Sequence, residues 1–430
     1  MRILVCNTFG RLLGGVESYL DRLIPALAES RHEVGMLFEH DLPAAHPRLT
    51  IPGHVWLVSE VGTAQALRGL REWRPDLIFT HGINDASLEQ ALIEAAPGVV
   101  FVHDYSATCI SGSKTLAFPH AKGCSCRFGP LCLVKYFPRR CGGISPIAMW
   151  RNYQTRVGRL QLLRSYGRLI VASQAMHDEY LRHGFATRRI ELAPYPVTRA
   201  EPASGSGVNV RSSKARQIDR GSPARLLFAG RMVWLKGGQV LLKALPSTAW
   251  RLQRPLKLTM AGEGPMRAEW QAQARTLCAQ NPSITVEFTG WLKRADLNKL
   301  FDAHDLLVVP SLWPEPFGMV GVEAGTAWLP AAGFGVGGIP EWLRDGVNGF
   351  VATANPPSAD ALAEVIEKCL ADPSLYRQLC KGARREAMKF TLSRHVAKLL
   401  EIFDQVITEA KAIKRSEAAT ESRAERSAAG

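Results

Sequence analysis

Three short segments combine residue types that can hold an anion beside a helix N-terminus. The first is Gly14-Gly15, at the end of an apolar run Arg2–Cys6. Missing Cβ atoms there let a ligand approach backbone N–H groups. The second, Ala229-Gly230-Arg231-Met232-Val233-Trp234-Leu235-Lys236-Gly237-Gly238, sets two cations around one strand-to-helix turn. A guanidinium fork and an ammonium point charge together suit a diphosphate. The third, Pro310 through Glu323, carries Glu315 and Glu323 on either side of Pro316-Phe317-Gly318. Pro316 suits a first helical turn, which would place Glu315 just outside the helix and Glu323 about two turns in. One carboxylate can then face a sugar while the other accepts from a ribose diol. Each segment also has a plain structural account: a turn, two surface cations, and a carboxylate stabilising a helix dipole.

The elements needed to position these loops are legible in outline. Short apolar runs at Arg2–Cys6, Asp76–Thr80, Val99–His103 and Arg168–Ala172 alternate with helix-length stretches. Such alternation argues for a parallel sheet covered by helices. A second series has strands at Arg225–Ala229, Leu256–Ala261, Ile284–Gly290 and Leu306–Pro310, with helical patterns at Gly238–Leu245, Pro265–Gln280 and Arg294–Ala303. The class is therefore α/β, with two doubly wound domains and a ligand cleft at the carboxyl ends of the strands. The expected division is an N-terminal domain at 1–198, a linker or insertion at 199–224, a C-terminal domain at 225–393, an amphipathic helix at 394–413 and a disordered tail at 414–430. The linker rests on a Ser-, Gly- and Arg-rich composition without periodicity.

In these segments' order and spacing the chain resembles the family 4 (group 1) glycosyltransferases, retaining enzymes of GT-B architecture with two Rossmann-like domains. The motifs are Gly14-Gly15-Val16-Glu17, Gly230-Arg231 with Lys236-Gly237, Gly262-Glu263-Gly264-Pro265, Glu315-x7-Glu323, and Gly337-Gly338-Ile339-Pro340-Glu341 followed by Asp345-Gly346-Val347-Asn348-Gly349-Phe350. The resemblance implies a nucleotide-sugar donor held mainly by the C-terminal domain. Arg231 and Lys236 would bind its diphosphate, Glu323 the ribose, and Glu315 the transferring sugar. Gly14, Gly15 and Gly318 complete the implied donor-binding set. His103, in Phe101-Val102-His103-Asp104-Tyr105, matches the family's active-site histidine, and the last long helix its return helix. No Asp-x-Asp occurs that would bring a divalent metal to the phosphates, so no cofactor is expected for catalysis. A same-fold nucleotide-sugar epimerase and a non-catalytic subunit of a glycosylation complex are the competing functions.

The chain has 430 residues, of which 46% are hydrophobic, and 53 Lys and Arg against 39 Asp and Glu give a net charge of +14. These values fit a folded globular protein and exclude a disordered one. No apolar stretch approaches the ~20 residues of a membrane span, and the N-terminal run is too short for a signal peptide. Between Tyr105 and His177 there is no acidic residue, and the eleven Lys and Arg there account for +11. A field so one-sided attracts an anionic partner (nucleic acid, an anionic membrane surface or a phosphorylated substrate) or is a solvated basic face with no specific partner. Tyr136, Phe137, Trp150 and Tyr153 interleave with the cations, which suits an anionic membrane surface. Nucleic acid would leave the diphosphate loops unexplained and is not the expected partner. The expectation is a cytoplasmic enzyme, peripheral on the inner face of a membrane, with a glycan or lipid-linked acceptor in polysaccharide or lipopolysaccharide assembly. Cys109, Cys124, Cys126, Cys132 and Cys141 fall in the same stretch. They form either a structural zinc or iron–sulfur site or a set of reduced thiols in a packed loop.

Overall fold

The computed structural model describes residues 1–42, 47–197, 218 and 221–428, with side chains described as far as Glu417 and for Thr420. The expected linker at 199–224 lies outside the described residues apart from 218 and 221–224.

The first half alternates strand and helix: β1 (Arg2–Phe9), α1 (Gly15–Glu29), β2 (Glu33–His40), β3 (Val55–Leu57), α2 (Val58–Val61), α3 (Thr63–Trp73), β4 (Leu77–Thr80), α4 (Ala86–Ala95) and β5 (Gly98–Val102). An irregular excursion follows, with the ribbon β6 (Thr115–Leu116) and β7 (Lys122–Gly123), then α5 (Leu131–Lys135) and α6 (Pro146–Leu163). The chain re-enters the sheet through β8 (Arg168–Val171), α7 (Gln174–Arg182) and β9 (Ile190–Leu192). Seven parallel strands run in the order β3-β2-β1-β4-β5-β8-β9. Strands β4, β5 and β8 are buried along their whole length. That explains their unbroken apolar composition, since helices cover both faces of such a sheet.

The second half repeats the plan: β10 (Ala224–Ala229), α8 (Gly238–Leu252), β11 (Leu256–Ala261), α9 (Arg267–Gln280), β12 (Ile284–Gly290), α10 (Arg294–Ala303), β13 (Leu306–Val309), α11 (Met319–Thr326), β14 (Ala331–Phe334), β15 (Gly349–Ala352), α12 (Ala359–Leu370) and α13 (Pro373–Ala387). Its six strands are ordered β12-β11-β10-β13-β14-β15, again parallel. In each sheet the order reverses beside the first strand, between β1 and β4 and between β10 and β13. Ligands of doubly wound sheets bind outside such a switch point, at the carboxyl ends. Gly14-Gly15 follows β1, and the Arg231–Lys236 loop follows β10.

The last helix, α14 (Leu392–Ala428), crosses to the first sheet. Val396, Leu399, Ile402, Phe403 and Val406 are buried, and the Phe403 ring meets Phe79 at 5.0 Å. Arg168 forks onto Glu409 at 2.5 and 2.9 Å, and Val197 N–H donates to Phe390 O at 2.6 Å beside the crossing. The helix does not stop at 413. It continues through 414–428, where the sequence suggested a disordered tail. Ala, Glu, Lys and Arg, which make up most of that stretch, are strong helix formers even without an apolar face to pack. Among the described residues no helix is long and apolar enough to cross a membrane.

Candidate functional site

The two halves meet through the loops that leave the carboxyl ends of their strands. Tyr105, just beyond β5, approaches the Trp313 ring at 6.3 Å, and Tyr195 approaches Phe317 at 5.9 Å. Gln174 N–H donates to Glu341 Oε1 at 2.7 Å.

On the second-half side, the loops after β10 and β13 are tied together, Leu312 N–H donating to Leu235 O at 2.8 Å. Gly237 sits at φ +72°, capping α8, and a Cβ there would lie 1.8 Å from Pro310 O. Only glycine permits that approach. The contact brings Lys236 to Glu315: Nζ donates to Oε1 at 2.6 Å, and Ser311 Oγ donates to the same oxygen at 2.5 Å. Lys236 also stands 5.7 Å from the Trp313 ring centroid. Glu315 is buried, and its own carbonyl accepts from Gly338 N–H at 2.6 Å. A Cβ on Gly337, at φ +57°, would come within 2.3 Å of Glu315 O, so the Gly337-Gly338 turn backs this loop closely. Arg231 is exposed at the start of the β10 loop. Met232 N–H, donating to Glu263 O at 2.7 Å, fixes the backbone beside it.

Gly318, at φ +88°, is the residue preceding α11. Pro316 therefore lies outside the helix rather than in its first turn, because the left-handed Gly318 separates them. Glu323 sits just over one turn in, buried, and bonds Arg294 at the start of α10. Sequence reasoning did not single out Arg294 or Ser311. Arg294 opens a helix it predicted, but a cation at a helix start carries no signal of its partner.

On the first-half side, Glu17 Oε2 accepts from Gly14 N–H at 2.9 Å, and its Oε1 accepts from Asn7 Nδ2 at 3.2 Å. A Cβ built on Gly15 meets nothing within 4 Å, so the space over the α1 N-terminus is open. His103 lies one residue past β5, with both ring nitrogens engaged. Nε2 bonds His81 Nδ1 at 2.9 Å and Nδ1 bonds the Tyr195 hydroxyl. Burial pushes its pKa down to about 3, so the ring is neutral at physiological pH. Tyr19 OH and His395 Nε2, 2.8 Å apart, extend this aromatic cluster to α14, and burial holds His395 down to about 4. His81 and Tyr195 were not anticipated; His81 ends a strand as His103 does, which is the one trace the sequence offers.

The five clustered cysteines do not assemble a ligand set. Among the described residues no group of three or more His, Cys, Asp or Glu is placed to hold a metal ion. Cys124 and Cys126 bond each other, and four of the thiols have further partners outside the cluster. Cys109 Sγ accepts from Lys114 N–H at 3.3 Å, Cys126 Sγ from Lys135 Nζ at 3.2 Å, while Cys132 and Cys141 donate to carbonyls. The Lys135 bond lowers the Cys126 pKa, whereas burial pushes Cys124 up to about 12. Of the two readings of this cluster, the described residues match the set of free thiols in a packed loop and not a zinc or iron–sulfur site.

Two doubly wound parallel sheets that meet through the loops at their strand ends, with a cation–carboxylate pair at one switch point and an open helix N-terminus at the other, define the GT-B fold. Two family models match the chain: "Glycosyl transferase 4-like domain" over residues 14–196 and "Glycosyl transferases group 1" over residues 211–386. The chain belongs to the group 1 glycosyltransferases. It is 32% identical over 180 residues to an uncharacterised glycosyltransferase of Methanocaldococcus jannaschii, covering 42% of this chain and 43% of that one. It is 29% identical over 263 residues to the D-inositol 3-phosphate glycosyltransferase of Salinispora arenicola, covering 58% and 57%. The chain thus spans about half the length of the curated relatives it matches. Among solved structures, Anabaena HepE in complex with UDP superposes with a TM-score of 0.64 at 21% identity, over 94% of this chain and 100% of that one. WaaG, a glycosyltransferase involved in lipopolysaccharide biosynthesis, gives 0.63 at 20% identity, over 93% and 99%.

Proposed function

We propose that the chain transfers a sugar from a nucleotide-sugar donor to a saccharide or lipid-linked acceptor, with retention of anomeric configuration and without a divalent metal. The observation that carries this is the Lys236–Glu315 contact at the switch point of the second sheet; the open N-terminus of α1 stands at the switch point of the first. Breaking the glycosidic C–O bond places extra negative charge on the departing diphosphate. Arg231 and Lys236 meet that charge from one lobe, and the amides at Gly15 from the other. Glu315 then serves two ends. It orients the Lys236 ammonium, and it sets a carboxylate beside the sugar as positive charge develops at the anomeric carbon. Glu323, held by Arg294, is available to the ribose diol. His103, neutral and fixed by His81 and Tyr195, contacts substrate by exchanging one of those partners for a sugar hydroxyl.

HepE was solved with UDP, and WaaG acts in lipopolysaccharide biosynthesis. Those facts make UDP-sugars the first donors to test and envelope polysaccharide the first acceptor class. Thermal shift with UDP-, GDP- and ADP-sugars identifies the donor, and turnover with candidate acceptors follows, the product anomer being read by NMR. A donor that is only epimerised when incubated alone, or a product of inverted configuration, refutes the proposal.

A further inference from the structure

We infer that residues 131–151 form a docking surface for an anionic lipid bilayer on the acceptor-side lobe. The inference rests on the transferase reading only for what the bilayer offers, a lipid-linked acceptor. The excursion between β5 and β8 leaves the cleft at Tyr105 and folds α5 and α6 around a small core of Ile110, Phe128 and Tyr136, joined by Leu133, Met149 and Tyr153. The opposite faces of these helices are bare. Ile144 is 93% exposed, Ile147 81%, Val134 71%, and Leu131 and Trp150 53% each. Ile147, Trp150 and Arg151 share one face of α6 by helical spacing, as Leu131 and Val134 share one face of α5. Scattered apolar side chains on a surface are ordinary, but so many within one short stretch mark an interaction site.

Charge identifies the occupant. Lys114, Arg159 and Arg168 are committed to Glu179, Glu89 and Glu409, so three of the eleven local cations are internally neutralised. Arg127, Arg139, Arg140 and Arg151 are exposed, in a stretch with no acidic residue. A second copy of the chain would set these arginines against each other, which opposes self-association through this face. Nucleic acid would use the cations but has no place for protruding Ile144 and Ile147. An anionic bilayer takes both, aliphatic tips in the acyl boundary, guanidinium groups at the phosphates, and Trp150, stacked with Tyr153 at 5.9 Å, at headgroup depth.

The test is flotation of the full chain, without donor, on phosphatidylcholine vesicles with and without 30 mol% phosphatidylglycerol (about the anionic fraction that gives a strong surface potential). The protein should float with the anionic vesicles and stay behind with the neutral ones. Replacing both Arg139 and Arg151 by Gln should weaken partitioning about thirtyfold, from roughly a factor of five or more per surface cation. Ile144→Asp with Ile147→Asp should weaken it on the order of a hundredfold, from two lost apolar insertions. Both variants change exposed residues, and both should keep the donor-induced thermal shift. Equal binding to the two vesicle types, no binding to either, or variants that float like the parent chain overturns the inference. So does a fall in solution mass of the isoleucine variant without any vesicle binding by the parent, which would assign the face to self-association. Loss of the donor shift with flotation intact sinks the transferase reading alone.

Discussion

Replacing Lys236 by Met tests the core of the catalytic argument, because it removes one charge while keeping much of the aliphatic stem. The Glu315 side chain is 5% exposed and that of Lys236 27%. Breaking a fully buried ion pair costs about 3–5 kcal/mol, and the partial exposure of Lys236 reduces this to roughly 1–3 kcal/mol. Urea unfolding measures that loss. Kinetics measures a separate quantity: a cation aimed at the leaving diphosphate is worth about 10²–10³ in kcat, or roughly 2.7–4 kcal/mol at the transition state. The two effects separate in the Lys236→Met, Glu315→Gln double variant. The neutral amide introduced there needs no counter-charge and can still accept from Ser311 Oγ, so stability should return to within about 1 kcal/mol of the parent. Activity should not return. If Lys236→Met keeps kcat within about threefold of the parent, or if the double variant recovers turnover along with stability, the pair is only structural and the leaving-group argument fails.

Three further outcomes follow from the geometry. Gly237→Ala forces a methyl against Pro310 O at φ +72°, and should cost at least ~2 kcal/mol in urea unfolding while weakening nucleotide binding at the α8 N-terminus. His395→Gln addresses acid sensitivity. A histidine whose folded pKa lies near 4 binds its proton mainly in the unfolded state between pH 6.5 and 4, so stability falls as pH drops through that window. Between pH 7 and 5 the parent should lose about 2 kcal/mol more than the variant, and equal losses contradict the assignment. Dialysis against EDTA should leave the initial rate of sugar transfer unchanged; a rate restored only by added Mg²⁺ or Mn²⁺ refutes metal independence.

Most of the strands that position the cleft were legible because buried parallel strands are short and mostly apolar, as in Arg2–Phe9, Leu77–Thr80 and Leu306–Val309. Ile284–Gly290 and Arg294–Ala303 coincide with their expected spans. Glu33–His40 escaped notice although it lies inside the first sheet; its apolar run, Val34–Phe38, is short, holds Gly35 and is flanked by Glu33, Glu39 and His40. Glu39 is buried nonetheless, its carboxylate accepting from the Asn84 and Asp85 amides. Ala331–Phe334 escaped because Ala and Gly carry little strand signal. In the site, the loops were readable from glycine and charge at strand ends, but pairings were not. Lys236 meets Glu315 across 79 residues of chain, and Arg294 meets Glu323 from another helix. Such contacts depend on sheet order, which a single sequence does not encode locally. The cysteine spacing left two readings open for the same reason: proximity along the chain does not say whether thiols share one coordination sphere, and among the described residues they do not.

The charges in the cleft are divided unequally between the lobes, and the division says how the donor should be held. Arg231, Lys236, Arg294 and both carboxylates belong to the second half. The first half offers the open Gly15 amide region and an imidazole cluster that burial keeps neutral. Free nucleotide should therefore owe its affinity to the second half and sense salt there, because the Coulombic part of binding resides in exposed or half-exposed cations. The first half gains influence only as the diphosphate becomes a leaving group, when the helix-terminal amides not already held by Glu17 meet the added charge. Its contribution to kcat should then exceed its contribution to nucleotide affinity. The crossing of α14, which ties His395 to Tyr19 and so to the ring cluster around His103, links that contribution to how the lobes sit together. A change at Tyr19 or His395 would consequently register in kcat before it registers in nucleotide affinity, although neither residue lies among the loops proposed to bind the donor.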